Sequence, residues 1–176
     1  MKVRLLEMAI PTDPDRAASM ARDVGADAGE ALENLRDLAR GIYPPLLADR
    51  GLAAALEAQA RKSAVPVAVE AVGVSRYPQE IEAAVYFSCL EALQNVAKYA
   101  EATKAVIRLS GEVGELRLEV TDDGRGFDPD AVSYGTGLQG IVDRLAAIGG
   151  TVEVTSSLGA GTTLRGRVVT GARQRP

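Results

Sequence analysis

The 176-residue chain reads as an α+β protein: a long helix, then a unit with a largely antiparallel sheet and helices on one face. Three observations predict this. An apolar heptad seam runs through residues 17–42. Short runs of alternating apolar and polar residues follow, as half-buried strands require. Two helical patterns, from Pro78 and from Gly135, interrupt those runs. Composition agrees with a folded chain: 47% of residues are apolar, and only 4% are aromatic, so the core is aliphatic.

The elements can be justified in order. MKVRLLEMAI is rich in helix formers and stops at Pro11. Asp13, Pro14 and Asp15 then supply an N-cap, a first-turn proline and a first-turn acid. Ala17, Ala21, Val24, Ala28, Ala31, Leu35, Leu38 and Ile42 form the seam, and Tyr43-Pro44-Pro45 ends the helix. Gly25 and Gly29 each cost roughly 1 kcal/mol of helix stability, so this helix needs a partner. A shorter helix is expected from Gly51, and a strand from Pro66. Pro78 opens a long helix with Ile81, Val85, Cys89, Leu93, Val96 and Ala100 at helical spacing. Residues 104–122 read as a hairpin around a glycine turn. An Asp- and Gly-rich loop follows over 122–136, then a helix, then two strands joined by LGAG. The last residues, 171–176, are a polar tail.

Several function classes fall away. Net charge is −4 with no basic tract, which argues against nucleic acid. The single cysteine, Cys89, lies among apolar residues and reads as core. No apolar run reaches membrane-spanning length and no signal peptide is visible, so a soluble, cytoplasmic chain is expected. GTGLQG has the Gly-x-Gly-x-x-Gly spacing of a dinucleotide loop, but its setting is wrong. The preceding strand ends near Thr121, more than ten residues earlier, and Glu153 comes too early for the ribose carboxylate.

Four short segments carry candidate chemistry. Glu91, Asn95 and Lys98 are spaced to share one helical face: two oxygen donors for a hard cation and a positive charge for phosphate. Asp122 ends a strand and is followed by Gly124 and Gly126, so a fixed carboxylate there could accept from an exocyclic amine. Gly135, Thr136, Gly137 and Leu138 open a helix. LGAGTTL opens the last strand. Taken singly, each also fits a solvated face or an ordinary turn.

Taken in order, the four segments resemble the ATP-binding domain shared by histidine kinases, type II topoisomerases, a class of heat-shock chaperones and MutL proteins. Glu91-x-x-x-Asn95 is similar to that superfamily's N box. Asp122-x-Gly124-x-Gly126 is similar to its G1 box, Gly135-x-Gly137-Leu138 to its G2 box, and Gly161-Thr162 to its closing element. The segment from Glu33, with Tyr43-Pro44-Pro45, resembles the second dimerisation helix and linker of sensor histidine kinases that pair with NarL-type response regulators.

The resemblance implies a Bergerat (GHKL) sandwich: a mixed, mostly antiparallel sheet with three helices on one face, preceded by a long helix. It implies a dimerisation remnant over 1–45 and an ATP-binding catalytic domain over 46–170. Mg-ATP would be the ligand, and the intact protein's reaction would be phosphoryl transfer to a histidine and on to a response regulator. Asp122 would read the adenine amine, with Thr162 supporting that end. Asn95 would ligate Mg²⁺, and Glu91 would be the catalytic carboxylate beside it. Lys98 would face the phosphates. Gly124, Gly126, Gly135 and Gly137 would admit close backbone approach, with Thr136 and Leu138 beside them. Tyr99 stands where a histidine is usual. The phosphoacceptor histidine itself is absent, since the chain has none. MKVRLLEMAI resembles the tail of the helix that would carry it. That implies a shortened kinase core, whose partner would be a histidine-bearing helix elsewhere; the intact kinase would be free to carry a membrane anchor. A natural histidine-less protein, an anti-sigma-factor-like serine kinase and a non-catalytic ATP-binding module are the alternatives.

Overall fold

The structure is a computed structural model, and it describes residues 43–129 and 136–171 together with Arg16, Ala18 and Ala21. The chain divides into two compact units, Met1–Ile42 and Tyr43–Pro176. In the first, Arg16, Ala18 and Ala21 are helical and exposed. The heptad seam from Val24 to Ile42 lies outside the described residues, as does Gly135.

The second unit runs α1 (Pro45–Ala60), β1 (Val67–Val72), α2 (Gln79–Asn95), a π-helical turn (Val96–Ala100), β2 (Ala105–Glu112), β3 (Glu115–Asp122), α3 (Thr136–Ala146), β4 (Thr151–Ser156) and β5 (Thr162–Val169). The strands form one sheet in the order β1-β2-β3-β5-β4. Only β1 and β2 pair in parallel, as a strand–helix–strand crossover through α2 requires. The mixed, mostly antiparallel sheet with three helices is therefore as expected.

Strand alternation sorts the sheet into two faces. Ile107, Leu109, Leu116, Leu118, Val120, Leu164 and Val168 join one buried cluster with Leu52 and Leu56 of α1, Val85 and Cys89 of α2, and Ile141 and Leu145 of α3. Cys89 is fully buried, and burial pushes its thiol up to about 12. It is inert core, as its neighbours predicted.

The opposite face carries charge. Glu70, Arg108, Glu119, Arg165 and Glu153 stand side by side, one from each strand and alternating in sign. Arg108 bonds Glu70 at 2.8 Å and Glu119 at 2.9 Å, and Arg165 bonds Glu119 at 2.8 Å. One row further, Arg117 and Arg167 both bond Glu115. The charged side chains keep this exposed face solvated, and their pairing in place limits like-charge repulsion.

Two boundaries differ from expectation. α1 begins at Pro45, not Gly51; a proline in the first turn costs nothing there, and Gly51 instead breaks the helix internally. α2 does not run on as an α-helix to Ala100, because Val96–Ala100 widens into a π turn. Near the start of this unit, Glu82 is fully buried yet charged. It accepts from the Tyr43 hydroxyl, from Arg76 Nε at 2.8 Å and from the Tyr77 backbone N–H at 3.1 Å. Among the described residues no helix is long and apolar enough to cross a membrane.

Candidate nucleotide site

The site is assembled at one end of the sheet, where β3 stops and α3 starts. Its first wall is α2. The side chains of Glu91 and Asn95 lie one turn apart and meet the first turn of α3. A methyl group added at Gly137 would come within 2.5 Å of Glu91 Oε1 and 3.4 Å of Asn95 Oδ1. A side chain at 137 would have to displace the Glu91 carboxylate, so glycine keeps that carboxylate against the α3 backbone. The α3 N-terminus has first-turn N–H groups without intrahelical partners and the positive end of the helix dipole. Thr136 is exposed there, and Leu138 turns partly into the core. A carboxylate and an amide oxygen thus sit beside a helix N-terminus. That suits a phosphate chain and a hard divalent cation with oxygen ligands. Among the described residues no three His, Cys, Asp or Glu side chains cluster to hold a metal. A cation here would therefore take much of its shell from phosphate and water.

The second wall is the end of β3, the central strand. Asp122 is only 7% exposed. It pairs with Ala105 on one side and Thr162 on the other. Its Oδ1 accepts the Gly124 N–H at 2.8 Å. Burial pushes its carboxyl above the usual aspartate range, while the N–H groups of Gly124 and Thr162 pull it down. A buried carboxylate with unused lone pairs is a hydrogen-bond acceptor awaiting a donor.

The Gly124–Gly126 loop is tied on both sides. Arg125 N–H donates to Ala100 O at 2.7 Å, which pins the loop to the π turn of the first wall. Asp123 accepts from the backbone of Thr103 and Lys104 at 2.8 and 3.0 Å. On the other side Gly159 N–H donates to Arg125 O at 2.6 Å. Gly126 and Gly161 have φ of +60° and +75°, and any side chain would overlap the Ser157 carbonyl or the Asp122 carbonyl respectively. Gly161-Thr162 is thus what allows the last strand to lie against Asp122.

Glu91, Asn95, Gly137, Asp122, Gly124, Gly126 and Thr162 are all placed in these two walls. Lys98 is exposed in the π turn, so the α-helical spacing that put it on one face with Glu91 and Asn95 does not hold through it. Tyr99 is exposed beside it. One residue escaped the sequence reading. Ser156 Oγ accepts the Phe127 N–H at 2.9 Å, contacts Thr162 Oγ1 at 3.0 Å and donates to Gly161 O at 2.9 Å, knitting the two loops together. Only the register Ser156↔Thr162 would have revealed it.

A sheet backed by three helices, with a carboxylate at one end of the site and a helix N-terminus at the other, defines a nucleotide-binding module. Residues 81–170 match the family described as histidine kinase-, DNA gyrase B- and HSP90-like ATPases. The chain belongs to that family, and this unit is the ATP-binding catalytic domain of a two-component sensor kinase. It is 35% identical over 159 residues to the sensor histidine kinase MctS of Rhizobium johnstonii, covering 85% of this chain and 34% of that protein. It is 31% identical over 159 residues to the sensor histidine kinase LiaS of Bacillus subtilis, covering 88% and 44%. Among solved structures it is similar to full-length ShkA in complex with AMPPNP, with a TM-score of 0.52, 26% identity, and coverage of 70% of this chain and 30% of that one. The chain thus spans less than half the length of these curated relatives.

Proposed function

We propose that this chain transfers the γ-phosphoryl group of Mg-ATP to a histidine supplied by another segment or chain, and that a NarL-type response regulator then receives it. The observation that carries the proposal is the meeting of Glu91 and Asn95 with the α3 N-terminus at Gly137, on the same site as the buried Asp122. Adenine lies at Asp122, its exocyclic amine donating to the carboxylate, with Thr162 behind. The phosphates lie at the first turn of α3, and the flexible Lys98 reaches toward them from the π turn. Gly135, Gly124 and Gly126 admit backbone approach. Asn95 holds the cation, which neutralises charge on the phosphates when bound. A neutral imidazole nitrogen attacks the γ-phosphorus, the bond to the bridging oxygen breaks, and ADP departs. The ring then releases its N–H proton, and Glu91 orients the groups at that point. Residues 1–45 are the dimerisation segment in this reading, and 46–170 the catalytic domain, working in the cytoplasm, where ATP is abundant.

Calorimetry with ADP and with Mg-ATP tests binding. Radiolabelled ATP tests transfer. Acid-labile label on an added histidine-bearing helical fragment, and none on the chain alone, is the expected result. Acid-stable label on the chain alone would overturn it in favour of a serine or threonine kinase.

A further inference from the structure

Glu82 takes no part in the nucleotide site, yet it is a fully buried carboxylate held by several donors. Its Oε1 accepts from Arg76 Nε at 2.8 Å and from the Tyr77 N–H at 3.1 Å. Its Oε2 accepts from Arg76 Nη2 at 3.1 Å and from the Tyr43 hydroxyl. Arg76 and Tyr77 lie just before α2, whereas Tyr43 is the first residue of the second unit. Arg76 Nη2 also donates to Ala48 O at 2.9 Å, so the same guanidinium holds the first turn of α1. Gly51 leaves room for it, since a methyl group there would lie 3.1 Å from Arg76 Cδ.

Two prolines join Tyr43 to this cluster's other end. Pro44 has φ of −50° and ψ of 128°, Pro45 opens α1, and Ala48 N–H donates to Pro44 O at 2.9 Å. A proline ring fixes φ, so the connection is stiff. Stiffness orients a chain only when its far end is tied, and the Tyr43 hydroxyl ties it. Burial and the Glu82 charge push that hydroxyl up to about 12, so it keeps its donor proton. We infer that Tyr43 is a positioning residue for phosphoryl transfer: its hydroxyl, bonded to the buried Glu82, fixes the direction in which the chain enters the catalytic unit through Pro44 and Pro45. This rests on the kinase reading above, in which the acceptor histidine lies on a helix that pairs with the segment ahead of Tyr43. Transfer needs that histidine and the phosphate end of the site to meet in one orientation, and a loosened connection dilutes it. The hydroxyl is also the separable member of the cluster. Without it Glu82 keeps both Arg76 bonds and the Tyr77 N–H, so the fold of the unit does not depend on it.

The full chain carrying Tyr43→Phe tests this, because the ring stays and only the hydroxyl goes. Amide hydrogen exchange, ADP affinity and transfer from Mg-ATP to the histidine-bearing fragment are read against the unaltered chain. Exchange over residues 43–49 is expected to quicken about fivefold or more, while that of β2 and β3 changes less than about twofold. The transfer kcat should fall about threefold or more, with the ADP Kd within about twofold. Unchanged exchange over 43–49, quickened exchange throughout the unit, an unchanged or higher kcat, or a loss shared equally with ADP affinity would each overturn the inference. So would a variant that does not fold, since the hydroxyl would then belong to the fold itself. Failure of the positioning role leaves ADP binding intact; an unaltered chain that binds no ADP would instead overturn the kinase reading, and this role with it.

Discussion

Asp122→Asn separates what the site needs from what the fold needs. The substitution keeps the side chain's shape and one oxygen, which can still accept the Gly124 N–H now made at 2.8 Å. It removes a charge that is 7% exposed and that burial holds above the usual aspartate range. The sign follows from linkage. A carboxyl raised in the folded state binds its proton more tightly there than in the unfolded chain. It therefore costs stability increasingly as pH rises from the ordinary aspartate range through the folded value. At pH 7 the nucleotide-free variant should melt at or above the wild-type temperature, and its advantage should shrink toward the acid end. Binding should move the other way. Losing an acceptor for the adenine amine costs about 1–3 kcal/mol, as for hydrogen bonds to charged groups, or roughly 5- to 150-fold in ADP Kd. Calorimetry with ADP and thermal melts over pH 4–8 measure both. Unchanged ADP affinity would remove Asp122 from the base end of the site. Lost affinity with a large drop in the nucleotide-free midpoint would make Asp122 a structural residue.

Three further outcomes are expected. Asn95→Ala should weaken Mg-ATP binding more than metal-free ADP binding, since its amide oxygen matters when the cation is present; equal losses in calorimetry would leave Asn95 as mere lining. Gly161→Ala should destabilise by about 2 kcal/mol or more in denaturant melts, because the new methyl meets the Asp122 carbonyl at a φ of +75°; a neutral result would show that the last strand can shift away. Glu82→Ala should cost about 1–3 kcal/mol, because the Tyr43 hydroxyl and the Tyr77 N–H lose a fully buried acceptor, while Arg76 stays open to water. Burial alone would raise Glu82, but bonds from Arg76, Tyr43 and the Tyr77 N–H outweigh it and hold it below the usual range. Its contribution is therefore present above that range and lost as pH falls through the lowered value, which acid melts of the variant and wild type will compare.

Much of this could be read from the sequence, for identifiable reasons. Alternation in KAVIRLS and ELRLEV marked both strands of the hairpin, since a period of two fits a strand and not a helix. Glu91 and Asn95 were placed together because four residues make about one helical turn. That arithmetic does not carry on to Lys98, because a π turn intervenes without a proline or glycine to announce it. Gly51 misled in the other direction: a glycine with φ of +75° looked like a helix start and is a break inside one. Ser156 was missed because it acts through a residue distant in sequence, Phe127. Such pairings follow from strand register or helix packing, which a single sequence does not display.

The alternating row on the open sheet face also works as a key for strand alignment. β1 joins β2 through α2, and β3 joins β5 through α3 and β4, so no tight turn sets either pairing. Sliding β5 by two residues would keep every side chain on its proper face, so core burial alone would not forbid it. In one direction that slip sets Arg165 opposite Arg117, and in the other opposite Thr121, in place of Glu119. The same slip of β1 takes Glu70 away from Arg108 to Ser110 or Val106. Each mismatch costs only about 0.2–1 kcal/mol. The slip also displaces Thr162 from Asp122. Charges on the open face thus favour, during folding, the alignment that sets Thr162 beside Asp122.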